Sequence, residues 1–82
     1  ECSTSHHLVE ANLLYGEKGL VVALANWSAG ELKGVEVRVK TERRFQQPYA
    51  IRKPLKNVRR GADGVRLSLD IDAIDFILLP FE

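Results

Sequence analysis

The sequence predicts an all-β fold, a small antiparallel β-sandwich of immunoglobulin-like type with six or seven strands. Two observations carry this prediction. Apolar and polar residues alternate along several short segments, most clearly in Val35 to Lys40, and a period of two is that of a half-buried strand. Turn-forming residues separate these segments at regular short intervals, and no segment shows the period of a helix.

The first half of the chain contains three predicted strands. Residues 1–7 are polar and without period, so we expect a linker or frayed lead-in there and place a single domain at residues 8–82. Val9 to Leu13 alternates in polarity, and the apolar run Leu20 to Ala25 follows a glycine-containing turn, which predicts a hairpin. The third strand is the valine segment at 35–39.

The second half of the chain is interrupted by prolines. Pro48 and Pro54 cannot donate to a sheet ladder, so a strand between them is predicted to be short and at a sheet edge. The run Gly61 to Gly64 indicates a tight turn. The remaining strands are predicted at Tyr49–Arg52, Leu55–Arg60, Val65–Ile71 and Phe76–Leu79.

Two of these strands, at 20–25 and 76–79, have no polar face. A strand in a two-sheet sandwich has one inner and one outer face, and an apolar outer face needs to be covered. We therefore predict that part of one sheet packs on the rest of a parent polypeptide or on a second copy of the chain. The candidate residues of this packing face are Val21, Ala23, Ala25, Ile77 and Leu79.

Length and composition argue against an independent enzyme. A domain of 82 residues has a thin core that leaves little room for a site that excludes water. The single cysteine permits no disulfide within the chain, and the absence of methionine indicates a fragment or later domain of a longer polypeptide. No apolar run is long enough for a membrane helix. The compartment stays open, with a bacterial periplasmic or extracellular location compatible with the sequence.

No residue pattern predicts a metal, a cofactor or a catalytic group. His6 and His7 are adjacent and would point apart in an extended segment. Asp70, Asp72 and Asp75 lack the glycine and distal glutamate of a helix-loop-helix calcium site. A calcium site at a loop of the sandwich stays open as an alternative, and we favour an acidic turn in which Asp72 or Asp75 caps backbone amides.

Residues 40–60 carry eight basic groups and one acid, Glu42. Basic groups with interleaved aromatic residues are typical of polyanion or glycan binding. The alternative is a solvated face neutralised by the acids of residues 63–82, and the formal net charge of +1 argues against a nucleic-acid partner. Trp27 is interpreted either as a plug of the core or as an exposed stacking surface. The candidate ligand-binding residues are Trp27, Tyr49, Arg43, Arg44, Arg52 and Lys53.

Several stretches together resemble a known type of domain. Gly19 to Ser28 is an apolar strand ending in Asn-Trp-Ser, a valine strand follows, and the chain closes with Asp63 to Leu69 and Asp75 to Leu79. This resembles the C-terminal β-sandwich accessory domains of bacterial glycoside hydrolases such as β-galactosidases. The resemblance implies catalytic carboxylates in a separate barrel, and a sandwich that packs on the enzyme body and assists assembly or substrate access. It implies no catalytic residue in this chain.

Overall fold

The computed structural model describes residues 2–82 and contains eight strands and no helix in that range. The prediction of an all-β antiparallel sandwich is confirmed, with eight strands instead of six or seven. The strands are β1 (Cys2–Thr4), β2 (Val9–Tyr15), β3 (Gly19–Asn26), β4 (Leu32–Lys40), β5 (Tyr49–Ala50), β6 (Lys56–Gly61), β7 (Gly64–Ile71) and β8 (Ile74–Pro80).

The strands form two four-stranded sheets with the orders β1-β4-β7-β6 and β2-β3-β8-β5. All pairings are antiparallel. The hairpins β2–β3 and β6–β7 each stay within one sheet, whereas β3–β4 and β7–β8 cross between sheets. These crossings place the two sheets face to face, so that each contributes one face to the core.

The core consists mainly of the inward-facing residues of four central strands, with Val9 of β2 and Phe45 of the segment after β4 added to it. Alternation along β4 and β7 places their valines, leucines and isoleucine inside, where they meet the aliphatic residues of β3 and β8. A period of two therefore specified the inner face of both strands correctly. The most deeply buried apolar side chains are Leu20, Val22, Leu24, Val37, Leu67, Leu69, Ile71, Ile77 and Leu79.

The expected lead-in at residues 1–7 is wrong for residues 2–4. Cys2, Ser3 and Thr4 form β1 and pair with Val39, Arg38 and Val37 at the edge of the first sheet. The Thr4 hydroxyl donates to the carbonyl oxygens of His6 and Val9, at 3.0 and 2.9 Å, and so fixes the turn into β2. A three-residue edge strand depends on its neighbour for order, which is why its own composition does not reveal it. Glu1 lies outside the described residues.

The proline-rich middle segment forms the short edge strand that the sequence predicts. Only Tyr49 and Ala50 pair with β8, opposite Leu78 and Ile77. The ladder continues one residue further, since the Ile51 N–H donates to the Phe76 carbonyl at 3.0 Å. β5 is therefore a brief addition to the second sheet.

A buried carboxylate holds the segment after β5 against β8. Asp75 is 1% exposed. Its Oδ1 accepts the N–H groups of Arg52 at 3.0 Å and Phe76 at 2.7 Å, and its Oδ2 accepts the N–H of Lys53 at 3.0 Å. Ionised acceptors form the stronger class of hydrogen bond. The predicted capping role is confirmed for Asp75, and it explains how an acidic residue occupies a core position.

Candidate functional site

The outer face of the second sheet is apolar on β3, β8 and β5, and on the edge strand β2 it is apolar at Leu14, with the polar Asn12 and Glu10 further along that strand. The strand register aligns Leu14 of β2 with Val21 of β3, Val21 with Leu78 of β8, and Leu78 with Tyr49 of β5. These four side chains form one continuous row perpendicular to the strands. Residues directly opposite on one face of a sheet are in contact distance, so the row is a single surface.

Two further rows extend this surface along the strands. Ala23 lies opposite Phe76, and Ile51 follows on the other side of Phe76. Ala25 lies opposite Ile74. The small alanine side chains form the floor of the surface and the larger residues of β8 stand beside them. We call this set of rows, with Leu8 and Trp27 at its end, the apolar face.

The apolar face accounts for seven of the eight large hydrophobic side chains that the described residues expose. Tyr15, at the end of β2, is the one that lies elsewhere. Trp27, Tyr49 and Phe76 are exposed by 70%, 48% and 40%. At roughly 200 Å² for a whole aromatic side chain, these three present on the order of 300 Å². With its aliphatic residues the face reaches the upper end of the largest patches on monomers, about 600 Å².

The predicted packing face is correct for β3 and wrong for β8. Val21, Ala23 and Ala25 lie on the outer face and are half-buried. Ile77 and Leu79 have no exposed surface and belong to the core. β8 instead presents the other parity to the outside, namely Ile74, Phe76 and Leu78. A strand that is apolar on both faces gives no signal of which parity is inner, and the partner strands decide it.

Trp27 is exposed because hydrogen bonds hold Asn26, the last residue of β3, and Ser28 in place on either side of it. The Asn26 side-chain amide donates to the carbonyls of Ile71 and Asp72, at 3.1 and 2.7 Å, and its Oδ1 accepts the N–H and hydroxyl of Ser28. Trp27 between them points outward and donates from Nε1 to Glu10 at 3.3 Å. The interpretation of Trp27 as a core plug is wrong, since the side chain lies at the end of the apolar face.

The predicted aromatic ligand-binding pair is not brought together. Tyr49 lies on β5 in the row of Val21, near the start of β3. Trp27 lies six residues after Val21, just past the last residue of β3. At the usual rise and strand spacing the two side chains are roughly 20 Å apart. One sugar ring cannot stack on both.

The candidate basic residues divide between two parts of the surface. Arg43 and Arg44 line one open depression together with Arg60, whereas Arg52 and Lys53 lie beside the acidic turn. The Arg43 guanidinium lies 3.8 Å from the centroid of the Phe81 ring. Lys53 lies 3.2 Å from Glu31 and 3.6 Å from Asp72, and the hydrogen bond with Glu31, then the charge of Asp72, raises the pKa of its ammonium above 10.5. Arg52 is positioned by its backbone bond to Asp75. The exposed Arg44 lies near the C-terminus, where its carbonyl accepts the Glu82 N–H.

The aspartates of the acidic turn have partners within the chain. Among residues 2–82 no group of three or more carboxylate, histidine or cysteine side chains is arranged to hold a metal ion. Asp70 accepts the Gly34 N–H at 2.9 Å and lies 3.4 Å from the Lys56 ammonium. The Gly34 bond, opposed by desolvation and assisted by Lys56, lowers the pKa of Asp70 below 3.8. The neutralisation expected between the basic and acidic segments is thus realised for Lys53 and Lys56.

No family model matches the chain, and no curated protein or solved structure matches it. The described residues include no helix that is long and apolar enough to span a membrane.

Proposed function

We propose that this chain is a non-catalytic accessory domain of a larger polypeptide, and that it acts by packing its apolar face on an adjoining domain. The observation that supports this is the continuity of the face, from the row of Leu14, Val21, Leu78 and Tyr49 to Trp27. Monomeric proteins rarely leave patches of this size uncovered unless the patch has a binding role.

The area of the apolar face favours an adjoining domain as its occupant. A stable complex of two free proteins buries about 800 Å² on each partner. Interfaces between domains of one polypeptide bury about 600–1,500 Å² in total, or about half of that on each side. A face of about 600 Å² fits the second class, because a covalent linker raises the effective concentration of the partner.

The chemistry of the face is suited to permanent burial. Its central residues are aliphatic or aromatic, and Glu10, at the margin, accepts a hydrogen bond from the Trp27 indole. Buried apolar surface contributes roughly 25 cal/mol per Å², before the opposing entropy of ordering the interface. The face therefore supplies docking energy from its apolar rows, and its one carboxylate, Glu10 opposite Ala25, lies on the edge strand β2, where it can stay hydrated.

The test is the accessibility of the face in the chain and in the longer natural polypeptide. Phe76→Cys, in a Cys2→Ser background, introduces a thiol at the centre of the face. We expect rapid labelling by a water-soluble maleimide in the chain and severalfold slower labelling in the longer polypeptide. The matched control is Glu17→Cys in the exposed turn before β3, which should label equally fast in both. Equal rates at position 76 would refute the docking.

Light scattering on the 82-residue chain separates the two occupants. We expect a monomer at micromolar concentration that binds a dye for apolar surface, with dye binding reduced by Phe76→Ser and unchanged by Tyr15→Ser. A stable dimer would overturn the assignment to an adjoining domain in favour of a second copy. A monomer that binds no dye would remove the packing function altogether.

The proposed parent is a carbohydrate-active enzyme, and this part rests on the sequence resemblance. The longer polypeptide is expected to hydrolyse chromogenic glycosides such as nitrophenyl galactosides. If labelling shows docking and the polypeptide is inactive on a panel of such substrates, the packing function stands and the glycosidase parent is wrong.

A further inference from the structure

Three arginines lie side by side on the outer face of the first sheet. Arg38 of β4 is directly opposite Arg66 of β7, and Arg66 is directly opposite Arg59 of β6. Ser3 of β1 completes the row beside Arg38. Strands are about 4.8 Å apart, so the three arginines span about 10 Å perpendicular to the strands. We call Arg38, Arg66 and Arg59 the arginine row.

A β-bulge brings Arg59 into this row. Lys56 is opposite Ser68, but Arg59 is opposite Arg66, so β6 gains one residue relative to β7 between the two pairs. Asn57 within the bulge has a left-handed backbone, with φ of 54°. The shift turns Val58 towards the core and Arg59 to the outside. Without the extra residue, alternation would place Val58 opposite Arg66.

The positive charge of the arginine row is only partly neutralised. Glu36 lies 3.3 Å from Nε of Arg38 and 4.0 Å from Nε of Arg66. No carboxylate of the described residues forms an ion pair with Arg59. Like charges directly opposite each other on a sheet are destabilising. A bound anion would therefore reduce the repulsion between the three arginines and stabilise the sheet.

Two open depressions meet at the row. One, of about 310 Å³, is lined by Glu36, Asn57, Arg59, Arg66, Leu67 and Ser68. The second, of about 390 Å³, shares Arg59 and Arg66 and adds Arg38, with Asp63 also in its wall. Ser68 and Asn57 also line the first depression, where the Asn57 amide donates to the Ser68 hydroxyl at 3.4 Å and that hydroxyl donates to the Lys56 carbonyl at 3.2 Å, so the arginines are the donors left for a ligand. The acids Glu36 and Asp63 lie at the two sides, and the surface between them is basic.

We propose that the arginine row binds a compact multivalent oxyanion that carries phosphate or sulfate groups. Guanidinium groups present paired N–H donors that match the oxygens of such groups, and they remain charged at every physiological pH. A row about 10 Å long has room for more than one oxyanion group. A ligand that contacts all three arginines therefore carries at least two such groups. The site lies on the sheet opposite the apolar face and does not depend on the docking function.

The composition of this face favours an oxyanion over single-stranded nucleic acid. Sequence-tolerant binding of single strands uses aromatic side chains on which bases stack. The exposed aromatic residues Tyr15, Trp27, Tyr49 and Phe76 belong to β2, β5, β8 or the loop after β3. None of them lies on a strand of the first sheet.

The test is calorimetric titration of the 82-residue chain with inorganic tripolyphosphate and, in a separate arm, with a sulfated oligosaccharide. We expect saturable binding that weakens as salt is raised. Arg66→Gln, which removes the central donor, should weaken binding about tenfold or more. Lys18→Gln changes the net charge equally at an exposed site in the turn before β3 and should weaken binding less than about twofold. Glu36→Gln should strengthen binding, because it removes the competing carboxylate.

The outcomes distinguish the sources and the alternatives. Preference for tripolyphosphate assigns phosphate groups, and preference for the sulfated oligosaccharide assigns sulfate. Equal weakening by Arg66→Gln and Lys18→Gln would overturn the site in favour of diffuse charge attraction. Absence of saturable binding by both probes would also overturn it. Tighter binding of a short single-stranded oligonucleotide of matched charge would replace the proposal with nucleic-acid binding.

Discussion

Replacement of the buried carboxylate, Asp75→Asn, tests the account of how the second sheet is completed. The amide can keep its oxygen at the Oδ1 position and accept from Arg52 and Phe76, but its NH₂ then faces the Lys53 N–H. One buried donor is left without an acceptor, at about 1–3 kcal/mol, and two bonds lose their charge assistance, at about 1 kcal/mol each. Relief of a buried charge offsets about 1–2 kcal/mol. The expected loss in free energy of unfolding is about 1–4 kcal/mol.

Urea denaturation followed by far-ultraviolet circular dichroism measures this loss. In a domain of this size the same change lowers Tm by roughly 5–30 °C. The matched control is Asp72→Asn, since the Asp72 side chain is 51% exposed and pairs with Lys53 at 3.6 Å. Its expected loss is under about 1 kcal/mol. If Asp75→Asn loses no more than this control, the three N–H bonds do not hold the segment and the reasoning is refuted.

Two further predictions concern backbone and acid stability. Gly64→Ala should destabilise the fold by at least about 2 kcal/mol, because φ is 157° and a Cβ there would overlap the Val39 carbonyl oxygen. In the same urea assay Gly30→Ala should be near neutral, because an added Cβ meets no atom within 4 Å. Asp70 should titrate below 3.8 by NMR, because the Gly34 N–H stabilises its carboxylate. Its folded pKa is the lower one, so its contribution to stability is complete above pH 3.8 and is lost as pH falls through the folded value. A pKa of Asp70 at or above 3.8 would contradict the role of the Gly34 N–H. An unchanged free energy of unfolding in Gly64→Ala would contradict the expected overlap with Val39.

Local alternation predicted the central strands well and the edges poorly. Val35 to Val39 and Val65 to Ile71 each have one apolar and one polar parity, so the inner face follows from the sequence. β1 carries no such pattern and exists because it pairs with β4. The prolines correctly limited β5, but the bulge in β6 depends on packing Val58 against the core.

The sequence predicted that an apolar surface would be present, but it assigned the wrong residues of β8 to that surface. The lack of a polar face at 20–25 and 76–79 indicated an uncovered surface, and the structure shows one. The predicted inner and outer faces of β8 were exchanged, because Ile77 and Leu79 are as apolar as Phe76 and Leu78. Asp75 pointed to the wrong face, because a charged residue of the same parity as Ile77 indicates a solvent-facing parity, and only the backbone donors of the segment after β5 allow it to be buried.

The sequence by itself determined the fold class, the central strands and the presence of an apolar surface, because these depend on alternation and turn chemistry within a few residues. Only the tertiary structure decided which residues share a surface. The apolar rows and the arginine row each join strands distant in sequence, and the register between strands sets both. A shift of one residue would exchange the two faces of a strand, and only the packing of the whole core selects between them.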